Sequence, residues 1–507
     1  MIMTHHSRRA VLGMLGAAPL AAGLLPGLAT AHADTGLAGR IQAVTDRPEF
    51  AGSRWGMRFQ VHGATKPIHV LNPQQRFEPA SAVKLFIAGS AFDALGPSHR
   101  FRTTVHRTGP VVLGTLRGDL TLVAGGDLLL GPRVRRDGSL ALPVPDHSYG
   151  TAGQPIAGDP LQQLRHLARQ VARHGVRRVD GTVRVDTSLF RQGTEALPQG
   201  NLQLPVSPMM INDNIVDVVV RPGDRIGAPA TLRVTPELGY VDIVNEVTTV
   251  ATPSRRLAFS TSAGVVRLTG KVALGAAPLL CPYFVPDPAG FAEVAFTQAL
   301  AEEGIDVTGN SVTTVDRRMV RLAEHVSLPL SEEVKVMLKL SSNVHTVYFP
   351  YLVGAIAGGD PDTPKATGQR LRRELVVRAG LDPDDPANGG YTPDYFVRFL
   401  EHMARQPYFT RYREGLPVMG RDGTLADVLP NSPAAGRVFA KTGTGGTSTG
   451  LYKAMAGYLC LPDGTLVVFA EFMEKPVSSP EEAFALEGRV GVAQGEIVTA
   501  VYESLVH

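Results

Sequence analysis

The sequence predicts an α+β protein that combines amphipathic helices, paired strands near the C-terminus and a long β-rich stretch. Apolar residues recur at helical spacing in several segments, and apolar–polar alternation marks other segments as strands. The predicted helices include 37–45, a segment opened by Asp159-Pro160, and 487–505, and the predicted C-terminal strands are 437–444, 453–461 and 465–472. With 507 residues and 44% hydrophobic content, the chain can form about two to four domains.

Residues 1–33 predict a secretory signal peptide. Paired arginines at positions 8 and 9 precede a Gly/Ala-rich apolar run, and Ala31-His32-Ala33 matches a cleavage site. A membrane anchor is the alternative, but the run is short and two prolines interrupt it. The arginine pair resembles a twin-arginine signal, so we expect export to the cell envelope, a periplasm-like space or the exterior. We expect no transmembrane span in the mature chain.

Composition excludes several classes of protein. The formal net charge of +3 falls to about +1 without residues 1–33, which carry two arginines and no acid, and this argues against nucleic-acid binding. Cys281 and Cys460 are too few for a disulfide scaffold, and the sequence leaves open whether they pair. No Cys/His spacing typical of a zinc site occurs.

The first candidate for chemistry is a serine and a lysine in the segment 78–92. Ser81 and Lys84 lie three residues apart at the head of an apolar helix that Gly96 ends, so their side chains share one helix face. A serine hydroxyl needs an adjacent base, and a desolvated lysine can be that base. Ser-x-x-Lys occurs about once by chance in a chain of this length, but a lysine inside an apolar run favours the catalytic interpretation over a solvated one.

Two further motifs make the pattern specific. Ser341-x-Asn343 follows a predicted helix, and Lys441-Thr442-Gly443 lies in a predicted strand. The order Ser-x-x-Lys, Ser-x-Asn, Lys-Thr-Gly resembles the signature of serine β-lactamases and penicillin-binding proteins. The predicted catalytic residues are Ser81, Lys84, Ser341, Asn343 and Lys441, and the predicted substrate-binding residues are Thr442, Gly443 and Thr444.

These residue types suit acyl transfer. Ser81 would attack a carbonyl carbon while Lys84 accepts the proton of its hydroxyl. Ser341 would pass a proton to the leaving amine, and Asn343 would hold the substrate amide. Lys441 would add positive charge, and the two threonines would offer hydroxyls to a substrate carboxylate. The backbone N–H groups of Ser81 and Thr444 would face the developing oxyanion.

Beyond the motifs, the chain resembles the D-alanyl-D-alanine carboxypeptidase/endopeptidase family, the low-molecular-mass class C penicillin-binding proteins. The segments that carry the resemblance are Pro79-Ala80-Ser81, Gly118-Asp119-Leu120, Gly181-Thr182-Val183, Asn212-Asp213-Asn214, Asp422-Gly423-Thr424 and Ala456-Gly457-Tyr458. The resemblance implies a transpeptidase-like domain, an antiparallel sheet flanked by helices, that a large β-rich insertion interrupts. It places the catalytic domain at 34–103 and 286–507, and the insertion at 104–285 with a nested part near 200–268.

The resemblance also implies a function. The substrate would be a peptidoglycan stem peptide ending in D-Ala-D-Ala, cross-bridges could be cut at the same site, and β-lactams would be covalent inhibitors. No metal or organic cofactor would be needed. One alternative is a β-lactamase, but the Glu-x-x-Leu-Asn segment of class A enzymes is missing. The other is a catalytically weak wall-binding or β-lactam-binding protein, against which the intact motifs argue.

Three segments depart from a simple assignment. Residues 386–391 are shorter than the family pattern, and 445–450 are small and Gly-rich, so both are expected to reshape the substrate rim. The Gly/Pro-rich segment 131–158 carries Arg133, Arg135 and Arg136, and we expect it to be a solvated loop rather than an anion site.

Overall fold

A computed structural model describes residues 36–197, 202–252, 254–262, 264–309 and 319–506. The predicted signal peptide at 1–33 lies outside these residues. These described residues divide into two compact units, one formed by those within 36–90 and 372–506 and the other by those within 91–371. The predicted domain boundaries, with a catalytic domain at 34–103 and 286–507 around an insertion at 104–285, stay a prediction.

The described residues form ten α-helices. They are α1 (Leu37–Thr45), α2 (Lys84–Leu95), α3 (Gln162–Arg173), α4 (Pro288–Glu302), α5 (Leu330–Lys339), α6 (Asn343–Leu352), α7 (Pro364–Arg378), α8 (Pro393–Ala404), α9 (Phe409–Glu414) and α10 (Pro480–Val506). None of these helices is both long enough and apolar enough to cross a bilayer.

The described residues also form 21 strands. The strands are β1 (Arg54–Val61), β2 (His69–Leu71), β3 (Arg102–Arg107), β4 (Val111–Val112), β5 (Thr115–Leu116), β6 (Leu120–Val123), β7 (Arg178–Val179), β8 (Val183–Asp186), β9 (Gly193–Leu197), β10 (Leu202–Val206), β11 (Ile215–Arg221), β12 (Thr231–Thr235), β13 (Ile243–Val250), β14 (Arg255–Ser262), β15 (Val265–Ala273), β16 (Leu279–Phe284), β17 (Asp306–Val307), β18 (Val320–Val326), β19 (Val438–Gly446), β20 (Gly450–Cys460) and β21 (Leu466–Pro476).

The first unit is built on a five-stranded antiparallel sheet in the order β19-β20-β21-β1-β2. Alternate residues of each strand face opposite sides, and both sides are covered. Phe469 and Met473 join the apolar core beneath α10, whereas Phe472 on the opposite face stacks on Phe77 and meets Phe396 of α8 edge to face. A sheet buried on both faces explains why the C-terminal strand sequences read as nearly continuous apolar runs.

The second unit contains several smaller sheets. Two have four strands each, in the orders β18-β3-β6-β8 and β17-β7-β5-β4, and helices α3 and α4 pack against their apolar core. Two three-stranded sheets, β12-β11-β16 and β13-β15-β14, and the pair β10-β9 complete the β-rich part.

Helix α3 begins at Gln162 rather than at Asp159-Pro160, because the Asp159 carboxylate accepts the Leu161 N–H at 2.9 Å and closes a turn before the helix.

The segment 131–158 is not simply a solvated loop. Arg135 and Arg136 are exposed as expected, but Arg133 is 1% exposed and forms ion pairs with Asp146 and Asp213. The expectation failed because the acids that pair Arg133 are 13 and 80 residues away in the sequence, and spacing alone does not reveal such partners. The sequence left open whether Cys281 and Cys460 form a disulfide, and in the structure both are free thiols.

Candidate active site

The predicted nucleophile lies in a tight turn just before α2. Residues Ala80–Val83 form a 3₁₀ helix that continues into α2 at Lys84, and in a 3₁₀ turn side chains three residues apart eclipse each other. As a result, Lys84 Nζ donates a 3.0 Å hydrogen bond to Ser81 Oγ. Lys84 is 2% exposed, whereas Ser81 is partly exposed. The sequence predicted this contact, and the structure adds a left-handed Ala80 with φ of 45° immediately before the serine.

Aromatic packing holds the start of α2 in place. The Phe86 ring lies 4.2 Å from the Phe399 ring and 5.0 Å from the Phe396 ring, centroid to centroid, and both partners belong to α8. Tyr412 donates a 3.0 Å hydrogen bond to the Leu85 carbonyl. Buried aromatic pairs of this kind add about 0.5–1.5 kcal/mol each beyond the area they bury. The position of Ser81 is therefore set by a rigid helix rather than by a loop.

A second buried lysine lies on β19, an edge strand of the five-stranded sheet. Lys441 on β19 is 0% exposed and donates a 2.6 Å hydrogen bond to the Thr442 carbonyl. Burial, followed by the charges of Lys84 and Lys453, holds the pKa of Lys441 well below its usual range. Three lysines therefore act on one another electrostatically in this site, and the fully protonated state is disfavoured.

The glycine of the Lys-Thr-Gly motif has a steric role. A Cβ atom at Gly443 would lie 2.1 Å from the Pro79 carbonyl oxygen and 3.0 Å from the Ala454 Cβ. The backbone of β19 thus passes directly against the residues that lead into Ser81, and any side chain at Gly443 would separate them. The motif requires a glycine here because two backbones meet.

The two threonines of the predicted binding strand have side-chain partners that the sequence analysis did not identify. Thr442 Oγ1 lies 2.6 Å from Thr424 Oγ1. Lys453, which is opposite Thr444 in the β19–β20 register, donates a 2.7 Å hydrogen bond to Thr444 Oγ1. A lone lysine in the apolar run of β20 was the available signal for the second contact, because an unpaired lysine is almost never buried.

The second unit carries the predicted Ser-x-Asn motif between two helices. Helix α5 ends at Lys339, Ser341 has a left-handed backbone with φ of 58°, and α6 begins at Asn343. Ser342 caps α6 by accepting the His345 N–H at 3.2 Å. Non-glycine residues in the left-handed region carry strain of about 1–3 kcal/mol and concentrate at functional sites.

The structure brings most of the predicted residues together locally. Within the first unit it groups Ser81, Lys84, Lys441, Thr442, Gly443 and Thr444; within the second it holds Ser341 and Asn343 on one short connection. The described residues show no group of three or more His, Cys, Asp or Glu side chains arranged to hold a metal ion. Sequence reasoning missed Thr424 and Lys453 in the first unit and, in the second, Tyr149, which contacts the Ser341 carbonyl.

A serine bonded to a buried lysine, beside a further buried lysine on the edge of an antiparallel sheet, defines a serine-type hydrolase of the penicillin-binding class. The profile of the D-Ala-D-Ala carboxypeptidase 3 (S13) family matches residues 37–488. The chain belongs to this family. The predictions of the family, of the fold class and of a serine-type D-Ala-D-Ala carboxypeptidase are confirmed.

Individual relatives agree with the family match. The chain is 27% identical over 459 residues to a D-alanyl-D-alanine carboxypeptidase of an Actinomadura species, covering 84% of this chain and 79% of the relative. It is 23% identical to the D-alanyl-D-alanine carboxypeptidase DacB of Haemophilus influenzae, covering 78% and 80%. The fold is similar to that of penicillin-binding protein 4 of Haemophilus influenzae, solved with a β-lactam, with a TM-score of 0.66, 20% identity and coverage of 92% and 99%.

Proposed function

We propose that the enzyme removes the terminal D-alanine from peptidoglycan stem peptides through an acyl-enzyme on Ser81. The observation that carries this proposal is the 3.0 Å hydrogen bond between the buried Lys84 Nζ and Ser81 Oγ. An unprotonated lysine at this distance is within reach of the hydroxyl proton. The family match supports the class of substrate, since the family is named for D-Ala-D-Ala carboxypeptidases.

In the proposed acylation, Lys84 takes the Ser81 hydroxyl proton as Oγ bonds to the penultimate D-alanine carbonyl carbon. The backbone N–H groups of Ser81 and Thr444 stabilise the oxyanion. The carbon–nitrogen bond then breaks, and the departing D-alanine amine receives a proton through Ser341. Water hydrolyses the remaining ester and restores the serine hydroxyl. Every proton removed from Ser81 or water is returned to the amine or to the serine.

The proposed binding groups hold both ends of the scissile bond. Asn343 bonds the amide that precedes it, and Lys441, Thr442 and Thr444 bond the terminal carboxylate. Gly443 admits the close backbone approach that aligns β19 with Ser81. A substrate carboxylate brought near Lys441 favours its ammonium form, and so opposes the lowering of the Lys441 pKa by burial and by the charges of Lys84 and Lys453.

β-Lactams are proposed as covalent inhibitors of the same serine, since their strained amide presents the same carbonyl chemistry. Relatives support this, because one penicillin-binding protein of the same fold was solved with a β-lactam. Cross-bridge bonds on the carboxyl side of D-alanine have the same scissile amide, and we extend the proposal to endopeptidase activity.

Export through a twin-arginine-like signal at residues 1–33 is part of the proposal, because peptidoglycan lies outside the cytoplasm.

The decisive experiment is intact mass spectrometry of the purified mature chain after exposure to benzylpenicillin, beside Ser81→Ala. We expect one adduct on the wild type and none on the variant. Release of D-alanine from a D-Ala-D-Ala peptide is then measured with both proteins, and a cross-linked muropeptide dimer tests the endopeptidase activity. Absence of an adduct on both proteins, or D-alanine release that survives Ser81→Ala, would refute the mechanism.

A further inference from the structure

The segment 131–158 connects β6 to α3 in the second unit, and the proposed mechanism gives it no role. Its sequence predicted a solvated loop, yet it contributes four polar or charged side chains to the interior of its unit: Arg133, Asp146, His147 and Ser148 are each at most 4% exposed. A Gly/Pro-rich connection that buries charged side chains must be held by specific partners. Outside the segment those partners are Asp213 and Asp217, and Asp213 in turn contacts His345 on the helix that begins at Asn343.

Tyr149 of this segment bonds directly to the Ser-x-Asn motif. Its hydroxyl donates a 2.7 Å hydrogen bond to the Ser341 carbonyl and lies 3.3 Å from the Leu340 carbonyl. Leu340 is the C-cap of α5 and Ser341 follows it, so these two carbonyls lie just past the end of the helix, where the chain has left the intrahelical hydrogen-bond pattern. Burial raises the pKa of Tyr149, and the charge of Asp146 raises it further, so the phenol keeps its proton and stays a donor.

The contact falls on a strained residue. Ser341 occupies the position after the C-cap of α5, with φ of 58°, where glycine is the usual residue because it has no Cβ. A serine in this conformation persists only when its surroundings fix it. The Tyr149 hydroxyl bonds the carbonyl of that very residue, and so determines the orientation of the peptide from which the Ser341 side chain projects.

A buried charge network fixes Tyr149 in turn. Asp146 accepts the Ser148 N–H at 3.0 Å and the Ser148 hydroxyl at 2.6 Å, which shapes the turn containing Tyr149. Arg133 Nη2 donates to the Asp146 carboxylate at 2.6 Å and also binds Asp213. A buried carboxylate paired in this way resists displacement, since removing one partner leaves an uncompensated charge.

The same network also reaches the helix that begins at Asn343. His147 bonds Asp213 at 3.1 Å and Asp217 at 2.9 Å, and Asp213 Oδ1 lies 3.3 Å from Nε2 of His345. His345 is on the first turn of α6, two residues after Asn343. The segment 131–158 therefore holds the motif on both sides, at the carbonyl of Ser341 and at the first turn of α6.

We propose that Tyr149 is a positioning residue for Ser341, and that the segment 131–158 sets the geometry of the Ser341–Asn343 motif. This inference rests on the proposed function, in which Ser341 delivers a proton to the leaving amine. Tyr149 contacts neither substrate nor reacting atoms in this role; it acts through the Ser341 peptide. Its effect is largest where the leaving group needs a proton and smaller where it does not.

The test compares two substrates that differ only in the leaving group. One is a D-Ala-D-Ala peptide, and the other is the matching depsipeptide that ends in D-lactate, whose alkoxide leaves more readily than an amine. The variant Tyr149→Phe removes the hydroxyl and keeps the ring. We expect kcat/KM for the amide to fall by about 10- to 100-fold, with most of the change in kcat, and by less for the ester.

Two further variants calibrate this result. Tyr240→Phe is the matched control, because the Tyr240 hydroxyl likewise donates to a backbone carbonyl, that of Asp287 at 3.2 Å, in the same unit. We expect it to leave the ratio of amide to ester turnover unchanged. Ser341→Ala sets the shift in that ratio when the proton donor is absent, and Tyr149→Phe should move the ratio in the same direction.

The amide-to-ester ratio does not depend on the fraction of folded enzyme, so a loss of stability in Tyr149→Phe cannot mimic the effect. An unchanged ratio, or equal losses on both substrates, would overturn the positioning role. Failure of the proposed function is a separate outcome: the wild-type enzyme would then form no benzylpenicillin adduct and release no D-alanine.

Discussion

Lys453 on β20 donates a 2.7 Å hydrogen bond to the hydroxyl of Thr444, the residue that follows Lys441-Thr442-Gly443 on β19. An ammonium group has donors and no acceptor, so the threonine oxygen must accept, and its own proton is directed elsewhere. Burial lowers the pKa of Lys453, and the Glu487 carboxylate, 3.7 Å from the same ammonium, opposes that shift. Thr444 is exposed, so its proton is available to a substrate carboxylate.

Replacing Lys453 by methionine, which is similar in length and uncharged, should weaken substrate binding more than it slows chemistry. We expect KM for a D-Ala-D-Ala peptide to rise about 10-fold, because a charge-assisted hydrogen bond that orients Thr444 is lost. Steady-state kinetics check this. Lys475→Met is the control, since that lysine on β21 donates a 2.5 Å hydrogen bond to the Ala51 carbonyl, and an equal effect of both variants would contradict the role of Lys453.

The lysine cluster predicts the pH dependence of acylation. The pKa of Lys441 is lowered from 10.5 by burial and then by the charges of Lys84 and Lys453, so the cluster loses a proton well below pH 10.5. Acylation needs an unprotonated base at Ser81, and two coupled lysines titrate as a pair. The rate of benzylpenicillin acylation should therefore rise with pH and reach its plateau below pH 10.5, as stopped-flow or quenched-flow mass measurements can show.

Removal of one charge from the cluster should shift this profile. In Lys453→Met a positive charge that disfavours protonation of Lys441 is absent, so the pKa of Lys441 rises. The rising limb of the acylation profile then moves to higher pH than in the wild type. A profile that stays in place, or moves to lower pH, is incompatible with electrostatic coupling among the three lysines.

Gly443 gives a steric prediction. The Cβ of an alanine there would meet the Pro79 carbonyl oxygen at 2.1 Å, which forces β19 away from the turn that holds Ser81. We expect Gly443→Ala to slow benzylpenicillin acylation by more than about 100-fold, because small displacements of reacting groups have large kinetic effects. Gly445→Ala on the same strand is the control, since its Cβ would come no closer than 3.6 Å to another atom, and equal losses in both variants would argue against a specific contact.

Local patterns in the sequence predicted much of the fold. Helix α1 has the predicted bounds of 37–45, and the three C-terminal strands lie within a few residues of their predicted positions, at Val438–Gly446, Gly450–Cys460 and Leu466–Pro476. Periodicity succeeds here because the apolar face of each element is set by its own residues. The contact between Ser81 and Lys84 was predictable for the same reason, as both lie in one turn.

Contacts between distant segments were not predictable. Tyr149 and Ser341 are 192 residues apart, and nothing in the Gly/Pro-rich sequence around Tyr149 indicates that its hydroxyl meets the end of α5. Arg133 was assigned to solvent for the same reason, because its partner Asp213 is 80 residues away. The helix start predicted at Asp159-Pro160 was wrong at shorter range, because an aspartate can close a turn before a helix as readily as it can begin the helix.

Glu471 provides a stability prediction at the centre of the first unit. This carboxyl on β21 is 0% exposed, and neither of its oxygens has a hydrogen-bond partner. Burial raises its pKa well above 4.5, so the folded chain holds a proton on Glu471 that the unfolded chain releases as pH rises above that value. The unfolded state then binds fewer protons than the native state, and the stability contributed at this position falls with increasing pH.

Replacing Glu471 by glutamine, which has the same shape and cannot ionise, should remove this pH dependence. We expect Glu471→Gln to melt at a higher temperature than the wild type at pH 8, with the difference shrinking as pH is lowered toward and below 4.5, where the unfolded wild-type chain also takes up the proton. Thermal unfolding across this pH range checks the prediction, with Glu481→Gln on the exposed start of α10 as the control. A stability difference that is constant from pH 4.5 to 8 would mean that Glu471 does not titrate differently in the folded and unfolded chains, and that the two variants differ only in packing.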